Sequence, residues 1–224
     1  MPFPAALLSP RSLRFFYLCD CSGSMAAQGK MQALNQAIRQ SLPLMQSVAR
    51  SNPDVQLLVQ AIAFGDRAHW HVAEPTPIED LLWDDLTAGG LTAMGGALAL
   101  LNQALADSTL PRQMLPPVLV LISDGQPTDD YGSALEQLMQ QKWAQRATRL
   151  AIAIGHDTDL EVLQQFIGND PQAPKPLQAS NATALAHYIE WASSSVVSST
   201  STLATLSSPP PLARQQGEDP TLIW

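Results

Sequence analysis

"PPVLVLISDG", residues 116–125, carries the unbroken run Val118–Ser123 between two prolines and an aspartate followed by glycine. Alternating polarity would mark a strand wetted on one face. A continuous Val/Leu/Ile run marks a strand buried on both, and such strands belong to parallel sheets sheathed by helices. Pro116 and Pro117 cannot continue a central strand, and Asp124-Gly125 is turn chemistry, so the run has defined ends. The same character recurs in "LRFFYLC" (13–19), "VQLLVQAIAF" (55–64) and "RLAIAI" (149–154). "AHWHVAE" (68–74) alternates instead, as a half-exposed strand would, and "GDR" before it suits a hairpin that makes it antiparallel to its neighbour.

Helical spacing separates these strands. From Lys30 to Arg50, Met31, Leu34, Ala37, Ile38, Leu42, Met45 and Val48 fall on one face, and Pro43 is expected to kink or split that helix. Further helices are expected over 93–106, 129–141, 160–167 and 181–193, the last capped by Asn181 or Thr183. Strands alternating with helices at this spacing specify an α/β fold: three layers, doubly wound, with a mostly parallel sheet and one antiparallel edge strand.

With 224 residues, 46% of them apolar, the chain can bury one sizeable core, placed at residues 11–192. From 193 to 224 the composition turns to Ser, Thr and Pro, which reads as a flexible tail. Its last residues, "EDPTLIW", suit a short linear motif that docks into a partner or back onto the domain, with Thr221 open to phosphorylation. A net charge of −8 with no basic stripe argues against nucleic acid. No run approaches the roughly 20 apolar residues of a membrane helix. Pro10, Arg11 and Arg14 interrupt the N-terminal apolar stretch, so a secretory leader is not expected either. Cys19 and Cys21 are too few to staple a fold and fit a reducing, cytoplasmic setting.

The chemistry gathers where strands end. In "YLCDCSGSM" (17–25) the chain leaves the first strand extended, so Asp20, Ser22 and Ser24 share one side, and Gly23 permits a tight turn. "LTAMGG" (91–96) brings Thr92 to the start of a helix, and the Val118–Ser123 run ends on Asp124. Three hydroxyls and two carboxylates, with no thiolate or imidazole, select a hard divalent cation, Mg2+ or Mn2+. Neutral hydroxyls leave such an ion's charge poorly quenched, so it seeks an acidic group from outside.

D-x-S-x-S alone is more often a helix cap or turn. His69 and His71 share a strand face but have no partners at zinc spacing, and His156 reads as a loop residue. Asp129 and Asp130 are expected to cap the helix that follows them, the alternative being that they add negative potential near the cation. Glu79, Asp84 and Asp85 read as solvated surface. Ser22 has neither a G-x-S-x-G elbow nor a placed base. The enzymatic alternative is a metal-dependent phosphoesterase, which would ordinarily employ more carboxylates.

Asp20, Ser22 and Ser24 with Thr92 and Asp124 resemble the metal-ion-dependent adhesion site of the von Willebrand factor type A (VWA) domain, over about residues 11–192. The resemblance implies a Rossmann-like VWA fold. It also implies a non-catalytic interaction domain whose serines and threonine bind the cation directly, whose aspartates act mostly through water, and whose partner supplies a carboxylate. "DCSGSM", "TAMGGAL" and "LISDGQPTDD" are most similar to the bacterial tellurium-resistance TerY-like group, which implies association with a Ser/Thr kinase and a metal-dependent protein phosphatase. Where the family often has glycine before the metal threonine, this chain has Leu91.

Overall fold

The strand that opens the domain, β1 (Arg11–Asp20), lies in the middle of the sheet because its side chains are apolar on both faces. Leu13, Phe15, Tyr17 and Cys19 enter one core, whereas Phe16 and Leu18 enter the other. Burial of each large side chain contributes about 1.5–3 kcal/mol, which explains why neither face carries a polar alternation. The computed structural model describes residues 10–106, 110, 114–156, 158–170, 173–202 and 224.

β1 pairs in parallel with β2 (Val55–Phe64) on one side and with β4 (Val118–Ser123) on the other. β3 (Ala68–Pro77) runs antiparallel to β2 at the edge, while β5 (Thr148–Ile154) and β6 (Leu177–Ala179) extend the parallel side. The order is β3-β2-β1-β4-β5-β6. Helices α1 (Lys30–Arg50) and α6 (Ala182–Thr202) cover one face. The other carries α2 (Met94–Ala106), α3 (Tyr131–Met139), α4 (Lys142–Arg146) and α5 (Leu160–Ile167). This is the three-layer, doubly wound architecture expected from the sequence. Because the chain winds from β1 outward to β2 while β4 lies on the opposite flank, a crevice opens at the carboxyl ends of β1 and β4. Open α/β sheets bind their ligands at such a switch point.

Several local expectations are corrected. Pro43 does not split α1, which runs unbroken from Lys30 to Arg50. Proline removes one N–H from the ladder, and apolar residues on both sides of it, including Ile38, Leu42 and Met45, still bury against the sheet. α6 continues past Ser193 to Thr202. Ser193 is buried and its hydroxyl bonds Tyr17 Oη at 2.8 Å. The helix therefore still has a partner where composition alone suggests a tail. Tyr17 Oη also lies 3.3 Å from Ser41 Oγ, so one phenol links β1, α1 and α6, and burial pushes its pKa to about 12.

Trp224 lies against the domain: its amide donates to the Ser180 carbonyl at 2.8 Å and its indole to the Gln28 carbonyl at 3.0 Å. Thr221 falls outside the described residues. Among those described, no helix is long and apolar enough to cross a membrane.

Candidate metal centre

β1, β4 and the loop before α2 deliver their oxygens to one place. Ser22 Oγ and Ser24 Oγ are 3.0 Å apart, and Ser24 Oγ donates to Asp124 Oδ1 at 2.7 Å. A β-carbon built on Gly125 would sit 3.7 Å from Thr92 Oγ1 and 3.9 Å from both Asp20 Oδ2 and Ser24 Oγ. Gly125 thus borders a small cradle ringed by groups from all three loops. An octahedral Mg2+ with arms of about 2.1 Å has adjacent ligands about 3.0 Å apart, which the Ser22–Ser24 separation matches. Asp20, Ser22, Thr92 and Asp124 are buried whereas Ser24 is exposed, so the cradle opens to solvent on that side.

The loops are held in register by their backbones. The Cys21 amide donates to the Phe64 carbonyl at 2.8 Å, Gly89 to Cys21 at 2.8 Å, Gly23 to Gly90 at 2.9 Å and Ala93 to Gly65 at 2.9 Å. Gly90 adopts φ +83°, and a side chain there would overlap the Asp66 carboxylate, whose Oδ1 accepts from the Leu91 amide at 2.9 Å. Leu91 in place of the family's frequent glycine is accommodated by pointing outward, 61% exposed. Thr128 fixes Thr92 from the third loop, its Oγ1 accepting from the Thr92 amide at 3.1 Å while its own amide donates to the Thr92 carbonyl at 3.0 Å.

Asp129 corrects an expectation. Asp130 does cap α3, accepting from the Ser133 amide at 3.2 Å, but Asp129 accepts from Gly95 and Gly96 at 2.8 Å each. It therefore satisfies the start of α2, a helix distant in sequence, and anchors the threonine loop to the third loop. Gly95 permits that approach, since a side chain there would meet the Asp130 carbonyl at 2.8 Å.

Two residues of the centre escaped the sequence. Ser123 Oγ donates to Asp20 Oδ2 at 2.5 Å, and the other Asp20 oxygen accepts from the Ser22 amide at 2.8 Å. Burial still holds the Asp20 carboxyl above the ordinary aspartate range, with those bonds pulling the other way. Without a cation, its charge is only partly compensated. Lys30 Nζ lies 2.7 Å from Asp124 Oδ2. Ser123 ends a strand buried on both faces, which says that its hydroxyl needs a partner but not which one, and nothing in the sequence pairs Lys30 with a residue on another loop.

The remaining candidates are placed elsewhere. His69 and His156 are exposed, and His71 packs against Trp83 in a tilted pair, ring centroids 4.7 Å apart, while Nε2 lies 2.9 Å from the Asp84 carbonyl. Asp85 pairs with Arg39. Cys19 and Cys21 are buried and free; burial raises both thiols, Cys21 to about 12, so neither offers a thiolate. Among the described residues no group of three or more His, Cys, Asp or Glu gathers in metal-binding fashion. The centre is instead one in which hydroxyls outnumber carboxylates.

An α/β domain with a hydroxyl-rich, oxygen-only cradle at its switch point is the class that fold and site define. The chain belongs to the von Willebrand factor type A domain family, whose model matches residues 16–190. No curated protein matches the sequence. Among solved structures it is similar to a von Willebrand factor type A protein from Catenulispora acidiphila, at 17% identity and TM-score 0.60 over 84% of this chain and 43% of that one. It is also similar to proximal thread matrix protein 1 of the mussel byssus with a zinc-occupied MIDAS motif, at 15% identity and TM-score 0.60 over 85% and 49%. The pilus adhesin SpaC from Lactobacillus rhamnosus GG aligns at 13% identity and TM-score 0.62 over 85% and 31%. The chain thus spans less than half the length of each of these proteins, and at such identities the likeness concerns the fold.

Proposed function

We propose that the protein is a non-catalytic, metal-dependent interaction domain. Asp20, Ser22, Ser24, Thr92 and Asp124 hold Mg2+ or Mn2+, and an Asp or Glu of a protein partner completes the ion's sphere. The observation that carries this reading is the convergence of hydroxyls and carboxylates from three loops on the cradle over Gly125. A metal-occupied MIDAS in the mussel protein supports it by analogy. Oxygen-only ligands favour Mg2+ or Mn2+ over zinc, which prefers nitrogen and sulfur.

Charge explains the acidic partner. Asp20 and Asp124 contribute −2 and Lys30 +1, so a divalent ion leaves the centre net positive and exposed on the Ser24 side. A phosphoesterase would ordinarily employ more carboxylates than the two present, to hold its metals and to serve as base. Here Asp124 is engaged by Ser24 and Lys30, and Asp20 by Ser123 and the Ser22 amide.

The finer resemblance, in "DCSGSM", "TAMGGAL" and "LISDGQPTDD", supports placing the domain in a cytoplasmic, TerY-like stress or tellurium-resistance system with a Ser/Thr kinase and a metal-dependent phosphatase as partners. The free thiols of Cys19 and Cys21 accord with that compartment.

The test is affinity capture from source-cell lysate. Partners retained in Mg2+ should fall at least tenfold in chelator and return when Mg2+ or Mn2+ is restored. Capture indifferent to chelator would contradict the proposal.

A further inference from the structure

Lys30 is an anomaly that the cation site does not by itself require. It is the first residue of α1, where the helix dipole presents positive charge and disfavours another cation. The helix start offers no compensation: Gly29 stands at the cap without a side-chain bond, and the first turn holds no acidic residue. A residue that breaks a local rule is expected to answer to something other than local stability. Its ammonium, with the side chain only 14% exposed, pairs with an Asp124 carboxylate whose side chain is fully buried. The ammonium lies against the end of β5, where a β-carbon built on Gly155 would be in ordinary contact with Nζ at 3.5 Å, so the lysine is packed between that strand end and Asp124.

Resting on the reading of the centre as a cation site, we propose that Lys30 is the specificity-determining residue that trades cation affinity for anion capture. By holding Asp124 Oδ2, it withdraws negative charge from the cation and weakens its binding. The same positive charge stays beside the loaded ion, makes the centre more electropositive, and strengthens the hold on an incoming carboxylate. The two effects have opposite signs, as electrostatics requires of one fixed charge acting on a cation and on an anion.

The experiment uses the full chain, with Mn2+ and acetate as probes. Mn2+ affinity is read by electron paramagnetic resonance titration. Acetate binding to the loaded centre is read from paramagnetic relaxation of its methyl protons. In Lys30→Met, Mn2+ should bind about tenfold more tightly and acetate severalfold more weakly, whereas Lys30→Arg should retain both wild-type values. Loss of both affinities in Lys30→Met would make the lysine merely structural and overturn the inference, as would no change in either. Unaltered Mn2+ binding in Lys30→Met overturns the inference but leaves the cation site standing; absence of Mn2+ binding in wild type and variant alike overturns both.

Discussion

Addition of Mg2+ to a hundredfold above its dissociation constant should raise the melting temperature of the wild-type chain by about 5–10 °C and that of Ser22→Ala/Ser24→Ala not at all. Saturation to that degree adds about 2.7 kcal/mol to the folded state, and a domain of this size shifts by about 2–4 °C per kcal/mol. The double variant removes two hydroxyls 3.0 Å apart but leaves the backbone bonds of the loop, including Ser22 amide to Asp20 and Met25 amide to the Ser22 carbonyl. Its fold should therefore survive without cation, and the loss should fall on the response to Mg2+. Buried Asp20 adds to the wild-type response, because the cation compensates a carboxylate that burial leaves costly. Scanning calorimetry at matched ionic strength measures both. A variant that still gains several degrees would show that these hydroxyls are not ligands.

The second large effect is expected from Gly65→Ala, although Gly65 is not itself a candidate ligand. A β-carbon there would lie 2.7 Å from the Gly89 carbonyl oxygen and 3.3 Å from that of Cys21. Both obstacles are backbone, one from each of the loops that carry Thr92 and Ser22, so the added methyl forces those loops apart. The expected cost is about 1–3 kcal/mol in stability, the range of an overpacked core. Cation affinity should fall at least tenfold, since ligands held within about 3 Å of one another tolerate little spreading. Gly132→Ala is the control: nothing lies within 4 Å of its added carbon, and it sits within α3, where alanine should stabilise by about 0.5–1 kcal/mol. Titration calorimetry and thermal melts should separate the two. Equal behaviour would mean that the Gly65 contact is not what spaces the loops.

What could be read from the sequence divides along physical lines. Strands buried on both faces, such as Val118–Ser123, show themselves as unbroken apolar runs. The half-exposed β3 shows itself by alternation. Asp20, Ser22 and Ser24 were visible because extended backbone places alternate residues on one side, and Thr92 and Asp124 because strand and helix boundaries bracket them. Elements of five and three residues, α4 and β6, are too short for any period to register. α6 outruns its sequence signal because a Ser- and Thr-rich stretch has modest helix propensity, which packing along α1 overrides. Asp129 precedes α3 in sequence, yet its carboxylate accepts from the first amides of α2; a cap supplied across space leaves no spacing signature. Lys30 and Ser123 escaped for the same reason, their partners being fixed by how the loops fold over the sheet rather than by neighbours in the chain.

Anomalous diffraction from crystals grown with Mn2+ tests the central claim most directly. The account predicts one strong peak in the cradle over Gly125, about 2.1–2.2 Å from the hydroxyl oxygens of Ser22, Ser24 and Thr92, with the Asp20 and Asp124 carboxylates beside it or one water away. A cradle without a peak in crystals holding Mn2+ elsewhere, or a Thr92 hydroxyl turned away from the ion, would contradict it.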